Sequence, residues 1–552
     1  MASPSRDDEL VLLPLGGAGE IGMNFNVYGF GPPDARKWIV VDCGVLFGKE
    51  ETTPGVDVIM PDIGFLAERR EDVLGIVATH AHEDHIGAIH YLWPTLRCPV
   101  YATPFTARLI EGKLEEAGLD GRVRVNIVPL HGKLKLGPFA IEFISITHSI
   151  PEPNVLAIRT PLGLVVHTGD WKIDPDPLIG ERTDVAALQK LGDEGVLATV
   201  CDSTNALVAG ESGSEARVRD ALADLIGTLK GRVAVTAFAS NVARLDSVAR
   251  AARANGREIA LVGRSMHKIV GAARDSGYLA DFPNVLDEEE AAQLPPHRIL
   301  YLCTGSQGEA RAALSRIASD QHPNVKLGPG DSVIFSSRVI PGNDLLIHAL
   351  HNKLAGLGVE VLSAEDHFVH VSGHPARDEL AQMYRWTRPR IAVPVHGELR
   401  HMSAHARLAR ELQVPEAVVI ENGHMLRLAP GKARIVDETP SGRVHLDGEV
   451  LISEGAGLSR ARRSLAFAGM IAVTLVLDGK GRVAADPVFF FEGIPEPVHE
   501  AVRNAVEGAV KRYNSKRGDE DKLRETVRRA ARAAAADAWG KKPITRVEVV
   551  WV

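Results

Sequence analysis

The chain has little cysteine for its length: four residues in 552. Cys43, Cys98, Cys201 and Cys303 lie far apart and form no Cys-x-x-Cys pair, which excludes a thiolate zinc site of the usual spacing. Cys43, Cys201 and Cys303 follow apolar runs, as buried free thiols of a reduced, cytoplasmic protein do. Long apolar runs are also missing. No stretch reaches the roughly 18 residues that a membrane-spanning helix needs, so no membrane association is expected. The polar start, Met1 to Glu9, lacks the apolar segment of a signal peptide. A basic surplus is absent too: 63 Lys and Arg face 71 Asp and Glu, a net charge of −8. Affinity for a polyanion comes from local cation clusters. An acidic chain would therefore bind one only through a few basic or metal charges focused in a cleft. Tandem repeats and low-complexity tracts are absent; the Ala-rich stretch 529–537 is simply a good helix former.

What is present is an ordinary globular composition, 45% hydrophobic and 24% charged, in a chain too long for one core. Two large lobes and a smaller one are expected. Over the first 200 residues, short apolar runs are each stopped by a turn signal, as buried strands are. Such runs end at Cys43, His80, Asp170 and Asp202, and another ends near His148. A His or Asp thus recurs just beyond the C-terminal end of a strand, where layered α/β folds place chemistry. From about 214 to 350 the pattern becomes strand–helix alternation. Helices are expected over Glu215 to Lys230 and Val242 to Asn255. Strands are expected at 232–236, 258–262, 298–303 and 332–336, a doubly wound parallel sheet. The strand 391–395 then ends at His396. Turns and charge dominate 430–460, which reads as a linker or short strands, and a βαβ-like unit follows. In it, strands near Met470 to Leu477 and Val488 to Phe491 frame a helix from Glu496 to Tyr513. A second helix runs from about Asp519, after a break at Gly518, to Trp539, and a final strand covers Thr545 to Val552.

The run Thr79-His80-Ala81-His82-Glu83-Asp84-His85 carries the strongest chemical signal. Imidazole and carboxylate are the ligands of zinc-like and manganese-like ions. Three His and one Asp within six residues after a strand can serve two adjacent metals, with His80 and His82 facing one way and Asp84 and His85 the other. Two ions need further ligands, and His148, Asp170 and His396 recur at later strand ends. A carboxylate such as Asp170 can bridge two ions.

His80-x-His82-x-Asp84-His85, then His148, then Thr168-Gly169-Asp170, resembles the metallo-β-lactamase superfamily. Asp170 and His396 stand 226 positions apart, and the stretch between them contains the doubly wound region, similar to the β-CASP nucleases, where a second α/β domain is inserted. Asp202 in Cys201-Asp202-Ser203-Thr204-Asn205, His374 in His370-Val371-Ser372-Gly373-His374, and His396 match that branch in order. Gly305-Ser306-Gln307-Gly308-Glu309 and Ala237-Phe238-Ala239-Ser240-Asn241 further resemble bacterial ribonuclease J.

The resemblance implies an α/β fold: an αββα lactamase sandwich (1–210 and 363–430), an inserted β-CASP domain (211–362), a linker (431–460) and a small α/β C-terminal domain (461–552). It implies a metal-dependent ribonuclease, 5′→3′ exonucleolytic and endonucleolytic, acting in RNA maturation and decay. Two divalent ions are implied, zinc in the first place and manganese in the second. His80, His82 and His148 would hold one, Asp84, His85 and His396 the other, with Asp170 between them. Asp42 would orient a ligand histidine. Asp84, Asp202 and His374 would be catalytic, His374 contacting the scissile phosphate and Asp202 orienting it. Ser240, Asn241, His370, Ser372 and Gly373 would receive a terminal 5′-monophosphate; for Ser240 and Asn241 a plain helix N-cap competes with that role. A homodimer or tetramer through the C-terminal domain is expected. The basic residues Arg524, Arg528, Arg529 and Arg532 have the spacing of one helix face, a solvated face or a dimer contact before an RNA contact. The rivals are a β-CASP nuclease acting on DNA or in RNA 3′-end processing, and a catalytically silent RNA-binding scaffold.

Overall fold

The structure is a computed structural model that describes residues 5–340, 342–513 and 520–552. Two compact units make up the chain: one of residues 1–46 and 60–441, the other of 47–59 and 442–552.

The larger unit is built on two packed sheets. The first contains, in neighbouring positions, strands His424–Ala429, Glu9–Gly16, Phe25–Gly31, Lys37–Val41, Val73–Val77 and Val100–Ala102. The second contains Phe139–Ser145, Asn154–Thr160, Gly163–His167, Val196–Asp202 and Ile391–Val395. Leu10, Leu12, Tyr28, Ile39 and Val77 of the first sheet meet Phe139, Phe143, Ile158, Val200 and Val393 of the second in one buried cluster. The outer face of the second sheet packs on helices Val185–Glu194 and Arg377–Thr387 through Leu188, Leu191, Leu380 and Met383. Covering helices give the two-sheet core its four layers, since each sheet has two apolar faces to bury.

Between Asp202 and helix Arg377–Thr387 the chain leaves this sandwich. It builds a separate five-stranded, all-parallel sheet ordered Glu258–Val262, Ile299–Cys303, Val233–Thr236, Ser332–Phe335, Glu360–Leu362. All-parallel strands need crossover connections and have both faces covered, which is why these strands read as unbroken apolar runs. The strands return to the sandwich at Ile391–Val395, which pairs in parallel with Val196–Asp202. That pairing places Asp202 beside Val395, next to His396.

The smaller unit differs from the expected βαβ order. Met470–Leu477 and Val483–Glu492 do not frame a helix; they pair antiparallel as a hairpin. The Asp478 side chain closes the turn by accepting from the backbone N–H groups of Lys480 and Arg482, both at 2.9 Å. Glycines at 479 and 481 suit so short a connection. Helices Glu496–Arg512 and Glu520–Trp539 follow, then Ile544–Trp551, parallel to the first strand. The expected break at Gly518 and the helix start at Asp519 lie outside the described residues. Of the two readings of 431–460, linker or short strands, short strands are what the chain forms. Arg434–Glu438 adds a strand beside His424–Ala429, and Arg443–Asp447 pairs with Val450–Ser453. The turn residues near 431 and 441 separate these short strands. Among the described residues no helix is long and apolar enough to cross a membrane, and all four cysteines are buried and free.

Candidate metal centre

The two sheets bring their strand ends together, and the chemistry-bearing residues sit there. Glu83–Ile86 forms one short helical turn with His82 at its N-cap. Its carbonyls are pinned from outside: Val45, Asn24 and Cys43 donate their N–H groups to the oxygens of Glu83, Asp84 and His85. The approach is so close that a Cβ on Gly44 would lie 1.7 Å from the Asp84 carbonyl oxygen. Glycine is required there, and the fixed turn sets where the Asp84 and His85 side chains point.

Hydrogen bonds on the far side of each imidazole decide which nitrogen faces the centre. Asp42, held at a positive φ of 65°, accepts from the Thr79 N–H at 2.8 Å and the Thr79 hydroxyl at 2.9 Å. It also accepts from His85 Nδ1 at 2.7 Å. His85 Nδ1 therefore carries the proton, leaving Nε2 as a ligand atom. Because the Thr79 hydroxyl gives its proton to Asp42, it must accept from His80 Nδ1, 3.0 Å away. The Gly373 carbonyl can only accept, so His148 Nδ1 donates to it at 2.6 Å. His396, at φ 50°, has Nδ1 2.9 Å from Asn24 Oδ1. In each case Nε2 is turned inward, the arrangement of metal-ligating histidines; burial opposes the charge of His85 and His396 but Asp170 raises both above the ordinary imidazole value, so a bound cation would take the place of that proton.

Those inward atoms converge. His82 Nδ1 lies 3.1 Å from His80 Nε2 and 3.0 Å from His148 Nε2. Asp170 Oδ2 is 3.9 Å from His80 Nε2, 3.8 Å from His148 Nε2, 3.2 Å from His85 Nε2 and 3.4 Å from His396 Nε2. Asp84 Oδ2 is 3.6 Å from His85 Nε2 and 3.7 Å from His396 Nε2. The ligand atoms of a tetrahedral zinc site stand ~3.3 Å apart, given Zn–N bonds of about 2.05 Å. Three four-residue clusters share Asp170: His80–His82–His148–Asp170, Asp84–His85–Asp170–His396 and Asp170–Asp202–His374–His396; the first two account for the ligand sets of two ions, and in the third His374 is tied to Asp202 by a hydrogen bond. The donor set also contains orphans: Asp170 Oδ1 and His396 Nε2 are buried with no hydrogen-bond partner among the described residues. Buried polar atoms are rarely left unpaired, and facing lone pairs repel, so the cluster fits cations. Burial keeps His80 and His148 well below the ordinary imidazole pKa and His82 at about 4, the neutral form that ligates. Burial works against the charge of Asp170, yet His396, His85 and His374 hold it well below the usual carboxylate range.

His374 stands beside this cluster, half-buried, with Nδ1 2.8 Å from Asp202 Oδ2 and 3.8 Å from Asp170 Oδ2. Burial opposes its charge, but Asp202 and Asp170 raise it to about 9. The remaining residues fall out unequally. Ser372 Oγ accepts from Asn205 Nδ2 at 2.8 Å and from the His374 N–H at 3.2 Å. With both lone pairs used, its own proton is left for another acceptor. Gly373 has a role the motif did not signal. A Cβ there would lie 2.9 Å from the His148 ring, and its carbonyl sets that ring's orientation. His370 is kept neutral by burial and by three nearby cations, Arg244, Lys172 and Arg338. Asn241 is buried and committed: its Oδ1 caps the helix Val242–Ala254 at Arg244 N, 2.9 Å, and its Nδ2 faces Glu215. Ser240 lies just before that cap, partly buried. Arg524, Arg528 and Arg529 pair with Glu520, Glu525 and Glu548 of their own unit, a solvated ion-paired face. Sequence reasoning missed Thr79, Asn24 and Asn205, polar residues whose type is common and whose role exists only through distant partners.

Fold and cluster define a two-metal hydrolase of the metallo-β-lactamase class. Four protein-family models match the chain. They are the metallo-β-lactamase superfamily over residues 27–191, the ribonuclease J β-CASP domain over 230–354, the Zn-dependent metallo-hydrolase RNA specificity domain over 359–419, and the ribonuclease J C-terminal domain over 459–552. The chain is 47% identical to ribonuclease J of Sinorhizobium meliloti, covering 99% of this chain and 98% of that one. It is 37% identical to ribonuclease J of Corynebacterium glutamicum, covering 98% and 76%, and of Mycolicibacterium smegmatis, covering 96% and 95%. A solved protein of unknown function from Enterococcus faecalis shares the fold, with a TM-score of 0.53 at 15% identity over 76% of this chain and all of that one. The chain belongs to the ribonuclease J family and is a metal-dependent ribonuclease that uses two divalent ions, zinc or manganese.

Proposed function

We propose that this ribonuclease degrades RNA from a 5′-monophosphorylated end and also cuts internally, and that its residues divide the work as follows. His80, His82 and His148 hold one ion, Asp84, His85 and His396 the other, and Asp170 serves both. The bound ions supply Lewis-acid activation of water and neutralise charge at the phosphorus. Asp42 and Asn24 keep His85 and His396 in the ligating tautomer. Asp202 holds His374 by Nδ1, leaving Nε2 to contact the scissile phosphate and to give its proton to the departing oxygen. A pKa near 9 keeps His374 protonated at neutral pH.

The terminal phosphate is received by the Ser372 hydroxyl, the Gly373 N–H and His370, with the Lys172 cation supplying positive potential around His370. Ser240 and Asn241 contribute through the N-terminus of helix Val242–Ala254, since the Asn241 side chain is already used. Zinc is the preferred ion and manganese the second. The domain boundaries are those stated from the sequence, with 431–460 as a strand-forming connection. The protein works in the cytoplasm. It assembles as a homodimer or tetramer through the C-terminal unit, where Val488, Phe490 and Val550 leave an apolar sheet face exposed.

The observation that carries this reading is the convergence of four imidazole nitrogens on one buried carboxylate oxygen, Asp170 Oδ2. The test is metal analysis of the purified chain combined with cleavage of 3′-labelled RNA before and after chelation. Monophosphorylated ends should be degraded faster than triphosphorylated ends. Equal rates would remove the pocket, and cleavage unaffected by chelation would remove the two-ion site.

A further inference from the structure

The Gly305-Ser306-Gln307-Gly308-Glu309 turn takes no part in the chemistry described so far, yet Gln307 is buried and fully engaged. It follows strand Ile299–Cys303, at the C-terminal edge of the inserted parallel sheet, the edge where such sheets place functional loops. Its amide Nε2 donates to the Arg338 carbonyl at 2.9 Å. Its Oε1 accepts from the Ile340 N–H at 2.9 Å and from Asn343 Nδ2 at 3.3 Å. One side chain thus grips the loop after strand Ser332–Phe335 at three points.

That loop presents Arg338, whose Nη1 donates to Asn205 Oδ1 at 2.8 Å. A guanidinium can only donate, which fixes the Asn205 amide: oxygen toward Arg338, nitrogen away. The nitrogen then donates to Ser372 Oγ at 2.8 Å and to the His374 carbonyl at 3.0 Å. Every link is a directional hydrogen bond: the one from Arg338 leaves the inserted domain for Asn205, and two more join Asn205 to the loop carrying His374.

We propose that Gln307 and Arg338 are positioning residues that fix the Ser372–His374 loop through Asn205, so that the inserted domain sets the placement of the catalytic histidine. This rests on the reading of His374 as the group that contacts the scissile phosphate. Arg338 is exposed and touches none of the metal-cluster residues, so replacing it should leave metal content and folding intact. A displacement on the order of 1 Å at a reacting group can slow turnover about a hundredfold.

The experiment measures kcat, KM and metal content for the full chain and for Arg338→Ala, Arg338→Lys, Gln307→Ala, Asn205→Ala and the Arg338→Ala/Asn205→Ala double variant. RNA and DNA oligomers of one sequence are both used as substrates. Arg338→Ala is expected to lower kcat roughly 10- to 100-fold while KM and metal content hold. Arg338→Lys, which keeps one donor for Asn205, should restore most of the loss. The double variant should be no worse than Asn205→Ala alone. A raised KM with kcat unchanged would make Arg338 a substrate contact and overturn the relay, as would additive losses in the double variant. If the parent chain cleaves only DNA, the RNA reading fails while the relay is still decided on that substrate. If it cleaves neither, both fall.

Discussion

Two buried polar networks lie in the larger unit, and they are built on opposite plans. Around Asp170, imidazole and carboxylate atoms converge with their lone pairs facing one another and with atoms left unpaired. Around Arg244, nothing converges on an empty point. Its guanidinium donates to Glu215 through Nε and Nη2 at 2.9–3.1 Å, and through Nη1 to Ser336 and to the Val369 carbonyl. Both side chains of that pair are essentially inaccessible, 0% and 2% exposed. One network is complete as protein alone, and the other is complete only with cations. Buried charge is thus no marker of function by itself; unmet valence is.

The contrast would be broken most sharply at the cluster. His80→Ala with His82→Ala should abolish bound metal at that position and cost activity on the order of 10⁴-fold, the several kcal/mol that metal activation contributes, with the fold retained by circular dichroism. Unchanged cleavage would sink the two-ion mechanism. His374→Ala should lose about 10²- to 10⁴-fold in kcat, the range for a general acid, while metal analysis stays at the parent value. On the other side, Arg244→Met should leave activity per folded molecule near normal but destabilise by ~3–5 kcal/mol, since Glu215 stays buried without its cation. Adding Glu215→Leu should recover most of that loss in a denaturant titration. A cost under about 1 kcal/mol for the single change would erase the distinction drawn here.

The smallest expected effect is a pH dependence. His405 is buried between the Ser203 hydroxyl, 2.9 Å from Nδ1, and the Tyr384 hydroxyl, 2.8 Å from Nε2. Burial holds its pKa down at about 4, below the ~6.5 of an unfolded chain. The unfolded state therefore takes up the proton first. The contribution of His405 is fully present above pH ~6.5 and is lost as pH falls toward 4. Thermal melting should drop across that window, and His405→Gln should flatten the drop. A profile identical to the parent's would assign the acid loss elsewhere.

Much of this was legible in the sequence because its signals are local. Strands ending in His or Asp, the spacing of His80, His82, Asp84 and His85, and the change to strand–helix alternation after about residue 214 are all visible within short windows. His148, Asp170 and His396 stood out at later strand ends, Asp202 and His374 came with the resemblance, and the fold places all five together. What was not legible depends on partners far along the chain. Asn24, Thr79 and Asn205 are ordinary polar residues in the sequence; Asn24 meets His396 across 372 positions. Asn241 reads equally as a phosphate donor or a helix cap, and only its bond to Arg244 N shows that its side chain is spent on the cap. The hairpin at 470–492 was missed because its first strand alternates buried and half-exposed positions, whereas the second is half-buried at best.

The sequence by itself determined the ligand types, the strands that end at them and the insertion that separates His396 from the rest. These follow from side-chain chemistry and from apolar periodicity, which act over a few residues. Only the tertiary structure decided which nitrogen of each histidine faces inward and that Gln307 and Arg338 reach the His374 loop. Those depend on hydrogen bonds between groups brought within 3 Å by sheet packing and strand return, and no local pattern encodes them.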